Sequence, residues 1–119
     1  MEVHELDSVR KQKLIHLTTK GRKTGKPHTV EVWFAVADGL VYLSHEGERT
    51  DWMKNIAENG QVEAKIGGLT FKGGAKMTGA RASRERGKKA LYEKYYGAAK
   101  QEVIDDWFSL SRVIEIKPE

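Results

Sequence analysis

The sequence predicts an α+β fold, a small and mostly antiparallel β-barrel with short peripheral helices. Three observations carry that expectation. The stretch HTVEVWFAVADG alternates apolar and other residues with the period of two that a strand requires. Two tight-turn signals, Asp38-Gly39 and Gly67-Gly68, each divide a pair of strand-like stretches. The alternating strand–helix pattern of a parallel, doubly wound sheet is missing.

The elements follow in chain order. The opening MEVHELDSVRKQK is charged and lacks the apolar stretch of a signal peptide. It leaves room for a short helix before a first strand over Val9–Thr19. A basic connection, TTKGRKTGKPH, leads to a strand with Val30, Val32, Phe34 and Val36 on one face, and Thr29, Glu31 and Trp33 on the other. Asp38-Gly39 turns the chain, because glycine accepts the positive φ of a two-residue hairpin, and Leu40–Ser44 returns. In TDWMKNIAENG, Trp52, Met53, Ile56 and Ala57 form one helical stripe that Asn59-Gly60 stops.

A second hairpin follows: Val62, Ala64 and Ile66, then Gly67-Gly68, then Leu69 and Phe71 running on to Met77. Gly73 and Gly74 within it predict a bulge or sharp bend, a device that lets a small sheet curl. Ser83 is placed to cap a helix reaching about Tyr96, with Leu91 and Tyr95 one turn apart. Val103, Ile104, Trp107 and Phe108 make a further helical stripe, and Leu110–Lys117 reads as the last strand.

At 119 residues the chain is expected to form one domain spanning 1–119. The absence of cysteine excludes disulfides, thiolate metal sites and a cysteine nucleophile. No apolar run approaches the ~20 residues of a membrane-spanning helix, so no membrane contact is expected and the cytoplasm is the default location. The net charge of +4 is modest, but its distribution is uneven. Seven Lys or Arg and no acid lie between Asp7 and Glu31, and a second basic run spans Lys72 to Lys89. Clusters of this kind attract anions: phosphorylated cofactors, acidic substrates or nucleic acid.

The loop GRKTGK is not a nucleotide-hydrolase phosphate loop. Gly21 and Gly25 are one residue too close, Pro27 follows Lys26, and the next segment is a strand rather than a helix. The physics of anion binding survives: glycines let backbone N–H groups converge, Arg22 offers a planar fork, and Lys20, Lys23 and Lys26 add charge. A soluble turn is the plain alternative. A barrel that tracks nucleic acid with Trp33, Trp52 and Phe71 is another, but Glu46, Glu48 and Asp51 interrupt the basic surface, and no nucleic acid partner is expected. His4, His16, His28 and His45 have no metal-site spacing, no G-x-S-x-G elbow exists, and Glu102, Asp105 and Asp106 fit a solvated helix face.

LTTKGRKTGKPHTVEVWF, the D-G hairpin and DWMKNIAENGQVEAKIGG together resemble the deazaflavin-dependent nitroreductase family. That family is related to the pyridoxamine-phosphate-oxidase-like split β-barrels that bind FMN or the deazaflavin coenzyme F-420. The likeness runs from about Leu14 to Gly79 and is sharpest at T-T-x-G-R-K-T-G-x-P and at W-x-x-N, Trp52 and Asn55. It implies an oxidoreductase that passes a hydride from the bound ring to a small electrophilic acceptor: a quinone, an enone or a nitro compound. By position it implies that Arg22, Lys23, Thr24 and Gly25 contact the cofactor phosphate, that Trp52 and Asn55 close over the same site, and that His28, Val30 and Val32 run beside the ring.

Ser44-His45-Glu46-Gly47-Glu48-Arg49 departs from the small and basic residues of deazaflavin users, and Arg49 resembles an arginine of the FMN-binding relatives. Both F-420 and FMN therefore stay open as cofactor, with an FMN-binding electron carrier as the alternative function. No residue is assigned to catalysis outright. Of Tyr92, Tyr95 and Tyr96, Tyr96 is the candidate for the acceptor pocket, the others for helix packing, while Trp33 is placed at the ring pocket or a dimer surface. The resemblance also implies a homodimer and a small-molecule acceptor.

Overall fold

Alternation is written into the strands, and the computed structural model, which describes residues 3–46, 50–78, 81–97 and 111–119, closes them into a barrel. Helix α1 (Val3–Ser8) precedes β1 (Leu14–Lys20), β2 (Pro27–Ala37) and β3 (Leu40–Glu46). Helix α2 (Asp51–Glu58), β4 (Gln61–Ile66), β5 (Leu69–Met77), α3 (Arg81–Tyr96) and β6 (Ser111–Pro118) complete the order. Around the barrel the strands run β1-β2-β3-β6-β5-β4, with β4 returning to β1, and every pairing is antiparallel. This is the predicted α+β architecture, a small antiparallel barrel with peripheral helices.

The inward faces of the strands fill the barrel. Ile15 and Leu17 of β1, Phe34 of β2, Val41 and Leu43 of β3 and Ile114 and Ile116 of β6 are fully enclosed. Each such side chain contributes on the order of 1.5–3 kcal/mol relative to exposure. Trp52, Met53 and Ile56 of α2 join this core with Leu6 of α1, as the helical stripe in the sequence implies. Both faces of β2 become buried from Phe34 onward. There α3 lies on the outer surface, and Ala35, Tyr42, Leu91 and Val113 form a second cluster beneath it. Gly87 makes this approach possible: a Cβ there would stand 2.6 Å from Cδ1 of Tyr42.

Three expectations need correction. The first strand begins at Leu14, not Val9, because α1 runs out through successive turns, with the N–H of Val9 on Leu6, Arg10 on Asp7 and Gln12 on Val9. No bulge occurs at Gly73-Gly74: Gly73 faces Val62 and Gly74 faces Gln61 in unbroken register. Gly73 instead admits a close neighbour, since a Cβ would meet the Lys117 carbonyl oxygen at 2.8 Å. Helix α3 starts at Arg81, which puts Ser83 inside its first turn rather than at its cap. Helix α2 stops at Asn59, as expected, with Asn59 in extended geometry (φ −146°) and its N–H bonded to the Asn55 carbonyl at 2.9 Å. The stripe at 103–108, Glu102, Asp105, Asp106 and Arg49 lie outside the described residues.

Candidate functional site

The basic connection between β1 and β2 is a closed, exposed turn. The N–H of Gly21 donates to the Lys26 carbonyl and that of Gly25 to the Gly21 carbonyl, both at 2.8 Å, with Gly25 in the left-handed region (φ 74°). The Thr24 hydroxyl oxygen accepts the Lys26 N–H at 3.2 Å, so its own proton is left to donate. Lys23 and Thr24 stand exposed at the tip. The His28 ring folds back over Gly21, where a Cβ would meet its Nε2 at 2.8 Å.

Behind the turn lies a buried polar hub. Asn55 sits on the inward face of α2 between Trp52 and Ile56 and is only 3% exposed. Its Oδ1 accepts the backbone N–H of Arg22 at 3.2 Å and Arg22 Nη1 at 2.9 Å. Its Nδ2 donates to the buried Thr19 hydroxyl at 3.1 Å. Asp51, one helical turn earlier, takes Arg22 Nη2 on its carboxylate at 3.3 Å and Nη1 on its carbonyl at 3.5 Å. The guanidinium is thus held by one edge, while Nε and the second Nη2 proton have no bond among the described residues.

This geometry fits a bound phosphate ester. An oriented arginine with donors to spare, an exposed lysine and a free hydroxyl proton are the elements of an oxyanion cradle, while the N–H groups of Gly21 and Gly25 are spent inside the turn and only shape it. The structure brings Arg22, Lys23, Thr24, Gly25 and Asn55 together. It places Trp52 in the main core at 7% exposure, behind the hub rather than on the surface beside the loop. Val30 and Val32 are half-buried against that same core. The roles of Asp51 and Thr19 went unread. A polar Asn inside the stripe Trp52-Met53-Ile56 was the available signal, because a buried amide needs partners from neighbouring elements.

Tyr96 lies elsewhere. Trp33 is six residues beyond Pro27 on β2, roughly 20 Å along the strand. The Tyr95 ring stacks on Trp33 at 4.2 Å and 8°, and Tyr96 meets the same indole edge-on at 6.2 Å. Trp33 and Tyr96 are 42% and 51% exposed, so within one chain this aromatic surface is separate from the loop. The Tyr95 hydroxyl accepts the Phe34 N–H at 2.9 Å and faces the carbonyls of Phe34 and Lys13 at 2.9 and 2.8 Å. It bridges the ladder where β1 has ended opposite Trp33. Burial raises its pKa, partly offset by the Phe34 bond.

His16 bonds Glu31 across the β1–β2 pair at 3.0 Å on the exposed face. Among the described residues no group of His, Asp and Glu is arranged to hold a metal ion, and no helix is long and apolar enough to cross a membrane.

The barrel and its basic turn define a class of fold, a small closed antiparallel barrel with peripheral helices, and comparison with known proteins makes this specific. The chain belongs to the F420H(2)-dependent quinone reductase family, whose model matches residues 2–106. No curated protein sequence matches it. Its fold is similar to that of the conserved hypothetical protein Rv2991 from Mycobacterium tuberculosis, with 22% identity, 100% of this chain and 81% of that one covered, and a TM-score of 0.81. A Listeria innocua protein classed with the pyridoxamine 5'-phosphate oxidases matches at 17% identity, covering 98% of this chain and 93% of its own, with a TM-score of 0.71. An F420-H2 dependent reductase, FDR-A, matches at 22% identity over 87% of this chain and 92% of its own, with a TM-score of 0.68.

Proposed function

We propose that this protein binds reduced coenzyme F-420 at the Gly21–Lys26 turn and reduces a small electrophilic acceptor, a quinone before an enone or a nitro compound. The family match over residues 2–106 carries the reading. The turn supports it by supplying an oriented guanidinium and an exposed ammonium where a phosphate ester would sit. The cofactor, when bound, supplies the hydride that a quinone needs, and solvent supplies the accompanying proton.

The chain's own contribution is binding and orientation. Arg22, Lys23 and the Thr24 hydroxyl hold the phosphate, Gly25 shapes the turn that presents them, and Asn55 with Asp51 fixes the angle of Arg22. Trp52 backs α2 from the core, so its effect on the site is through the position of Asn55. Tyr96 with Trp33 offers an exposed aromatic surface for a planar acceptor. A homodimer belongs to the same reading, because a second copy is the simplest way to bring such a surface towards a loop roughly 20 Å away along β2.

Steady-state turnover tests the activity: reduced F-420 is mixed with a soluble benzoquinone and with a nitroaromatic, and oxidised F-420 is followed by its absorbance. Protein-dependent oxidation with the quinone is expected. Failure with every acceptor, while the cofactor still binds, would leave a carrier rather than a reductase.

A further inference from the structure

On the far side of the barrel from the basic turn, a cleft of about 1000 Å³ opens between α3, the α1–β1 connection and the β2–β3 turn. Ala35, Ala37 and Ala90 give it small side chains, and Tyr95 forms part of its wall. Two of its carboxylates are already answered: Asp7 by Arg10 at 3.9 Å and Asp38 by Arg86 at 2.9 Å. What remains is Lys11, Lys13, Lys89 and Lys94 against Glu93. None of these four ammonium groups has an ion-pair partner among the described residues. The Lys94 Nζ is enclosed without a hydrogen bond, 3.4 Å from the Phe34 ring centroid and 5.3 Å from that of Tyr95.

The ring faces offset part of the cost of enclosing the Lys94 ammonium, which still lacks a hydrogen bond, and three further cations raise the potential of the same space. We propose that this cleft is a second binding site, taking a small polyanion that carries two or more phosphate or carboxylate groups on a compact body. Its volume suits a small molecule and its alanine-lined floor suits an apolar portion. A nucleic acid backbone fits it less well, because a cleft of this volume holds one small molecule rather than a run of consecutive phosphates. The proposal does not rest on the cofactor reading, since the two sites use different residues at different ends of β2.

The test is an amide NMR titration of the full chain with sodium tripolyphosphate and, separately, with citrate. Saturable shifts at Gly39, Ala90 and Lys94 with either anion are expected, and the better ligand separates phosphate from carboxylate preference. Lys89→Glu, at an exposed position, should weaken these shifts about tenfold while any shifts at Lys23–Gly25 persist. Lys94→Met, which keeps the side-chain volume, should do the same. Shifts confined to Lys23–Gly25 would overturn the cleft proposal and leave the cofactor site standing. Absence of saturable shifts, or tighter binding of a single-stranded oligonucleotide in the cleft, would overturn it as well.

Discussion

Asn55 and Arg22, thirty-three residues apart, meet at one oxygen: Asn55 Oδ1 accepts both the backbone N–H and the guanidinium of Arg22. That single acceptor fixes the loop to α2 and sets the direction of its arginine. Asn55→Ala would leave the Thr19 hydroxyl, the Arg22 N–H and one edge of the guanidinium to find other partners. A loss of about 1–3 kcal/mol is expected in urea denaturation. Affinity for a phosphorylated cofactor should fall with it, more steeply than in an equally destabilised core variant such as Ile56→Val.

The Tyr95 hydroxyl has a backbone task that phenylalanine lacks. Tyr95→Phe keeps the stack on Trp33 but strands the Phe34 N–H, and should cost about 1–3 kcal/mol. Trp33→Ala removes only the exposed stack and should cost about 0.5–1.5 kcal/mol. Thermal melts of both variants check the order.

Gly87 is a contact point between α3 and the barrel. Gly87→Val would drive its side chain into Tyr42 and Val113, whose nearest atoms already stand 2.6 and 2.9 Å from a Cβ. Overpacking of about 1–3 kcal/mol is expected, with β2–β3 and α3 amides losing exchange protection first.

Lys94 makes stability depend on pH in a defined direction. Burial, with repulsion from Arg10, lowers its pKa from 10.5 to about 8. Between those values the unfolded chain binds more protons than the folded one, so this group's contribution rises with pH from about 8 to about 10.5. Below that window the unfavourable burial is fully present. Tyr95 acts oppositely, its raised pKa favouring the fold until the pH passes its unfolded value of 10.0. Subtracting the curve for Lys94→Met isolates the lysine. The difference should rise through the window, and a flat difference would refute the assignment.

The strands were legible because barrel walls impose a period of two, and HTVEVWFAVADG carries it openly. The two hairpin turns were legible because left-handed backbone favours such residues: Asp38 and Gly39 hold φ of 53° and 76° in the first, and Gly67 holds 59° in the second. What escaped were contacts between distant elements. Nothing near Gly73 announces that Lys117 will lie against it. Lys94 has the look of a solvated lysine until Phe34 is found beneath it. The loop's composition pointed to an anion, but its anchor on Asn55 and Asp51 depends on the path of α2.

The most direct test of the account is a parallel fluorescence titration of the protein with F-420 and with FMN, repeated with Lys23→Ala and with the pair Arg22→Ala, Lys23→Ala. Saturable binding of F-420, weaker binding of FMN, stepwise loss in the two variants and retained folding by circular dichroism are the predicted result. Unchanged F-420 affinity in the folded double variant, or binding of neither cofactor by the native chain, would contradict it.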